Sequence, residues 1–346
     1  VAALVLAGAR RGGEVAAWAA WGAVAGSLLQ LGVQLPQVAR LLGSFRPALD
    51  TGSSHVRTIF RNLLPSVGSR GVTQVSAWLD QVISSFLPGG AVAMLGYAQT
   101  LYVLPVSLFG MSVSSAELPE LSSGAGAETL RERLDTALRR VAFLVVPSVA
   151  AFALLGDRVV ALVFQTGAFG AEDVRIVWAA LAGSSVGLLA STLGRLYASA
   201  FWALHDTRTP LRFAMARVVS SAALGSALAF GAPHLLGLDL RLGVAGLTLG
   251  SGLAGWLEML LLRRALNARV GKTGLPASFS LRVWGAALGA AALGWSAKLA
   301  APPLGPVLLG LLVCGVFAAA YAALALLLRV PEATALAASL RRRLGR

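Results

Sequence analysis

The chain has 346 residues, 57% of them hydrophobic and only 13% charged, with a net charge of +14 and a mean hydropathy of +0.75. Soluble globular domains carry roughly 25% charged residues. A chain this long and apolar cannot hide its surface in one aqueous core, so a soluble globular protein is excluded and a polytopic membrane protein remains.

A helix needs ~20 mostly apolar residues to cross ~30 Å of hydrocarbon, and exposed irregular backbone is too costly there. The expected fold is therefore an all-α transmembrane bundle with nine full spans, near 15–37, 62–87, 91–119, 140–164, 174–203, 211–231, 242–262, 279–300 and 305–328. Residues 1–8, "VAALVLAG", read as the end of a tenth helix. With no initiator Met and no signal-peptide pattern, the chain reads as a C-terminal fragment of a longer protein.

The second span carries polar residues that lipid would not accept. At 100° per residue, with Arg70 at zero, Ser66, Thr73, Gln74, Gln81 and Ser84 fall within a sector of about 100°. Asp80 lies at the sector's edge, near about −80°. A charge near the bilayer centre costs ~3 to ~10 kcal/mol unless it faces protein or water. Arg70 is thus either clasped to a carboxylate (Glu117, Asp80 or Glu258) or lines a solvated pathway. The run of polar neighbours favours the pathway. Asp80 is the candidate for binding a cation, with an ion pair or a buried neutral acid as the other readings.

The third span is polar but uncharged at Tyr97, Gln99, Thr100 and Tyr102, and Gln99 and Thr100 join Arg70, Gln74 and Gln81 as cavity-lining candidates. Arg195, near the end of 174–203, can snorkel and reads as an anchor. Pro65, Pro105 and Pro147 stand where they can kink helices. Gly246, Gly250 and Ala254 recur every four residues, a small-residue ridge for close helix approach.

Between spans, alternate loops hold 21 of the 29 Lys and Arg residues and the other set holds 6, with Arg70 and Arg195 inside spans. Basic loops stay cytoplasmic. Residues 1–14 are therefore expected outside and the C-terminus inside, with the basic patches meeting anionic membrane lipids rather than nucleic acid. Cys314 is the single cysteine, in an apolar span, and His55, His205 and His234 share no metal-ligand spacing. No nucleophile motif, phosphate-binding loop or dinucleotide fingerprint is present. Neither an enzyme, a cofactor nor a metal site is expected.

Three stretches together resemble the MurJ/MviN lipid II flippase family. "LPSVGSRGVTQVSAWLDQVISSFLPGGAVAMLGYAQTLYVLPVSLFGMSVSSAELPELS" is similar to the helix pair opening its C-terminal lobe. "VVALVFQTGAFGAEDV" is similar to an outside connection, and "RLYASAFWALHDTRTP" to a cytoplasmic turn. The resemblance implies a two-lobe exporter-superfamily flippase of fourteen helices with both termini cytoplasmic. Residues 1–45 would end the N-terminal lobe, 56–270 form the six-helix C-terminal lobe, 276–329 two additional helices and 330–346 a basic cytoplasmic tail. Thr100 stands where the family usually has a cavity arginine, and Val103 where a carboxylate is frequent. The implied function is translocation of lipid II, or a related polyprenyl-diphosphate glycolipid, across the bacterial cytoplasmic membrane by alternating access, driven by the membrane potential or by an ion gradient with a coupling cation. Another exporter of the superfamily, or a non-transporting scaffold for cell-wall synthesis, is the alternative.

Overall fold

A computed structural model describes residues 12–42, 74–111, 127–237 and 239–344. Arg70 lies outside them, as does the first part of the span expected at 62–87, residues 62–73. The chain divides into two compact units, Val1–Arg61 and Asn62–Arg346. In the first, α1 (Gly12–Leu42) is a single helix of 31 residues. At ~1.5 Å per residue it exceeds the hydrocarbon thickness. Trp18, Trp21, Leu28 and Leu29 are exposed along it.

The second unit is also helical, with no strand among the described residues. Its elements are α2 (74–85), α3 (Ala91–Pro105, extended by a π-helical turn Val106–Met111), α4 (Ala127–Leu154), α5 (Gly156–Phe164) and α6 (Ala171–Ala203). Then come α7 (Arg208–Leu236, with a π-helical turn at Ala227–Gly231), α8 (Gly243–Val270), α9 (Ala277–Ala300), α10 (Pro306–Leu327) and α11 (Pro331–Leu344). Six described helices are long and apolar enough to cross a membrane.

One expected span is corrected. Residues 140–164 are not a single helix: α4 stops at Leu154 and α5 begins at Gly156. Pro147 sits inside α4 without ending it. The break comes from packing. The indole Nε1–H of Trp178 donates to the Phe152 carbonyl at 3.2 Å, satisfying an acceptor the interrupted helix leaves open. Leu155, fully buried, fills the space beside Gly294, where a Cβ would come within 2.8 Å of its side chain.

In lipid, apolar side chains gain nothing by leaving water, so helices associate through close packing of small residues. α8 shows this on two faces. Toward α7, Gly246 and Gly250 press on Leu228 and Gly225, so the Gly246–Gly250 ridge read from the sequence is a helix contact. Toward α6, Gly252 meets Gly187 backbone to backbone, and Thr248 Oγ1 donates to the Ala180 carbonyl at 2.8 Å.

Many polar contacts lie at the two ends of the bundle. At one end Arg269 of α8 holds Asp206 at 2.7 Å, the Gly274 N–H donates to Asp135 of α4 at 2.9 Å, and Arg139 lies 3.6 Å from Glu332 of α11. Partial burial raises the Asp206 carboxyl, but hydrogen bonds from the Thr209 hydroxyl and N–H and from Arg269 outweigh it and hold the pKa down to about 2. At the other end Lys298 of α9 bonds Asp157 of α5 at 2.6 Å, and Arg241 reaches Glu172 at 3.4 Å.

The glycine contact carries a prediction. Gly187→Val puts carbon where the Gly252 backbone stands and should cost about 1–3 kcal/mol, the usual penalty of overpacking. The melting temperature in detergent, followed by tryptophan fluorescence, should fall by several degrees. Gly96→Ala, with open space around it, should leave it unchanged. An unshifted Gly187→Val would mean the helices are not in contact there.

Candidate functional site

α2 presents Ser76 and Ser84 to the bundle, and Leu87 follows just past its end, all buried. Asp80 sits on the same face, while Val75, Trp78, Val82 and Phe86 are exposed. Asp80 accepts from Ser251 Oγ of α8, which lies 3.1 Å from each carboxylate oxygen. Ser251 in turn stands 2.8 Å from Ser221 Oγ of α7. A chain of three oxygens thus joins three helices.

Beside it lies an ion pair. Arg217 Nη1 of α7 donates to Glu258 Oε2 of α8 at 3.2 Å, and both side chains are largely buried. Arg217 is nine residues into α7 and Glu258 twelve residues back from the end of α8, roughly 14 and 18 Å at ~1.5 Å per residue. Both lie near mid-membrane. Arg217, grouped with the cytoplasmic loop cations by its neighbours Arg208 and Arg212, belongs inside a helix. Its Nε–H has no hydrogen-bond partner among the described residues, and it is within electrostatic reach of Asp80.

On the far side Tyr102 of α3 and Ser191 of α6 share a hydrogen bond of 2.9 Å. Arg195 is within electrostatic reach of Tyr102, Arg217 and Glu258. An anchor that only snorkels would have no such neighbours. Asp80, Gln99, Tyr102, Ser191, Arg217 and Ser251 together enclose a cavity of about 110 Å³. It has room for an ion with a few waters, at ~30 Å³ each, but not for a sugar headgroup.

Among the cavity-lining candidates the structure brings Gln99 to Asp80 and leaves three elsewhere. Gln74 and Gln81 are exposed on α2, away from the face that carries Asp80. Thr100 is exposed on α3, its hydroxyl donating to the Gly96 carbonyl at 2.9 Å. Sequence reasoning missed the Arg217–Glu258 pair and the two serines. The signal was available for the pair, since Arg217 stands more than two turns past Arg208 and Glu258 is the one acidic residue of α8.

The fold and this intramembrane charge cluster define an all-helical, multi-pass membrane protein with a polar site at its core. The chain belongs to the family described as lipid II flippase MurJ, whose model matches residues 1–326. It is 28% identical over 252 residues to the probable lipid II flippase MurJ of Vibrio cholerae, covering 71% of this chain and 46% of that protein. It is 31% identical over 248 residues to that of Rhizobium meliloti, covering 70% and 44%. The chain thus spans about half the length of the curated relatives it matches. A solved lipid II flippase MurJ in an inward closed conformation shares its fold, with a TM-score of 0.64 at 20% identity over 88% of this chain and 57% of that one.

The ion pair can be tested by a double-mutant cycle. Arg217→Met or Glu258→Leu alone strands a buried charge and should cost on the order of 2–4 kcal/mol. The double variant should recover most of that loss in detergent melting experiments. Additive losses would show that the two side chains do not depend on each other.

Proposed function

We propose that this chain works within a flippase that moves lipid II, or a related polyprenyl-diphosphate glycolipid, from the inner to the outer leaflet of the bacterial cytoplasmic membrane. The observation that carries the reading is the family match over residues 1–326. Transport needs no covalent step, and no catalytic role is assigned to any residue.

Size divides the labour. The cavity at Asp80, about 110 Å³, is well below the ~300–1,000 Å³ of ligand sites. It suits a coupling cation, held by Asp80 with Ser251 beside it and released as Arg217 approaches. The anionic headgroup falls to the sequence stripe of Arg70, Gln74 and Gln81, with Thr100 on the following helix, while Gln99 lines the cation cavity. An arginine keeps its charge in any environment and binds two phosphate oxygens at once.

In the full-length protein, Arg70→Ala should abolish rescue of cells depleted of their own flippase, and Arg70→Lys should rescue in part. Asp80→Asn should also fail to rescue while still binding lipid II. Membrane abundance should stay at wild-type level throughout. Full rescue by Arg70→Ala would remove it as a headgroup ligand, and loss of abundance would make it a structural clasp.

The basic end of the bundle faces the cytoplasm in this reading, placing His205 and the tail after Pro331 inside and Gly167 outside. Single cysteines at these positions, in a background lacking Cys314, should react with a membrane-impermeant thiol reagent in intact cells only at Gly167. Labelling of the tail would reverse the orientation.

A further inference from the structure

Two cavities of ligand size meet on the face formed by α6, α7 and α8, away from Asp80. One, about 440 Å³, is walled by Val186, Leu228 and Leu249 over a floor of Ala182, Gly183 and Ala245. The other, about 490 Å³, shares Ala179, Ala182 and Leu242 with it and opens at Arg175, Trp178 and Asp239, toward the bundle end that carries Asp157 and Lys298. The floor is low because Gly183 lies against Thr248 and Ala245, holding α6 and α8 too close for larger side chains.

The groove is amphipathic along its length. Its inner part is apolar, and its mouth carries Arg175, exposed and in no ion pair among the described residues. The neighbouring charges are engaged: Glu172 with Arg241 at 3.4 Å, Arg158 with Asp157 at 3.0 Å, and Asp239 with the Arg241 N–H at 2.9 Å. From Arg175 to Val186 is eleven residues of helix, ~16 Å at 1.5 Å per residue. One leaflet of a ~30 Å hydrocarbon core is ~15 Å deep. A cation at the surface over an apolar slot one leaflet deep matches a lipid with a single phosphate.

We propose that this groove binds an anionic phospholipid of the leaflet at that end, one acyl chain lying along Ala182–Val186 and its phosphate on the Arg175 guanidinium. The site is separate from the flippase reading and holds whether or not the chain moves lipid II.

The test is native mass spectrometry of the full-length protein with phosphatidylglycerol and phosphatidylcholine of identical acyl chains. Wild type should retain phosphatidylglycerol about five-fold over phosphatidylcholine, the preference one arginine near the surface supplies. Arg175→Gln should bring the ratio close to one, and Ala182→Phe, which fills the slot, should lose both lipids. A phosphatidylglycerol carrying a diazirine midway along one chain should label peptides covering 179–186 or 245–249, and soluble glycerol phosphate should not compete. Melting temperatures identify a misfolded variant, and if Ala182→Phe does not fold, the crosslink in wild type decides. An unchanged ratio in Arg175→Gln, labelling elsewhere, or full competition by glycerol phosphate would overturn the proposal.

Discussion

The backbone contact of Gly187 with Gly252 sets the positions of the polar groups around Asp80. α8 has glycines on two faces, Gly246 and Gly250 toward α7 and Gly252 toward α6, and so lies tight against both helices. At 100° per residue these faces are roughly opposite each other. Ser251, about 100° from both Gly250 and Gly252, and Glu258, about 80° from Gly250 and about 120° from Gly252, fall between them and point into the seam where α2 and α7 converge. A larger residue at 252 would separate α6 from α8 and pull Tyr102–Ser191 away from Ser251–Asp80. The cavity exists because its walls are pinned by residues with no side chain.

Periodicity made part of this legible. Apolar runs gave most helices, and the four-residue spacing gave Gly246 and Gly250. It also showed that α2 has a polar side. A helical wheel says which residues share a face but not which face meets a neighbour. Centred on Arg70, the stripe gathered Gln74 and Gln81, yet the buried residues of α2 are Ser76 and Ser84, which flank Asp80. The choice is made by Ser251, 171 residues away in sequence. Arg217 was hidden for a similar reason: it follows a basic loop, and only Glu258 across the helix pair explains its depth.

The break at Leu155 was beyond sequence reading in a stronger sense. Nothing local demands it, since Pro147 is carried through α4 and Gly156 alone would be tolerated in a helix. Trp178 supplies the donor that replaces the lost backbone bond, and Gly294 with Phe317 supplies the space. α9 and α10 are then joined to α4 and α5 by Lys298–Asp157 and by Tyr321, whose hydroxyl donates to the Phe143 carbonyl at 2.7 Å.

The oxygen chain Ser221–Ser251–Asp80 has a direction, and protonation decides it. A hydroxyl has one proton to donate, and an ionised carboxylate can only accept. With Asp80 charged, Ser251 spends its proton on the carboxylate, and its 2.8 Å contact with Ser221 requires Ser221 to donate. With Asp80 protonated, the carboxylic acid can donate to Ser251, which then donates to Ser221, and the chain reverses. A cation at Asp80 favours the first arrangement and a proton permits the second. Arg217 stands within reach of the carboxylate, while Glu258 holds its other side. A change of charge at Asp80 would reach α7 and α8 through two hydrogen bonds and one ion pair, on the two helices that the glycine contacts hold together.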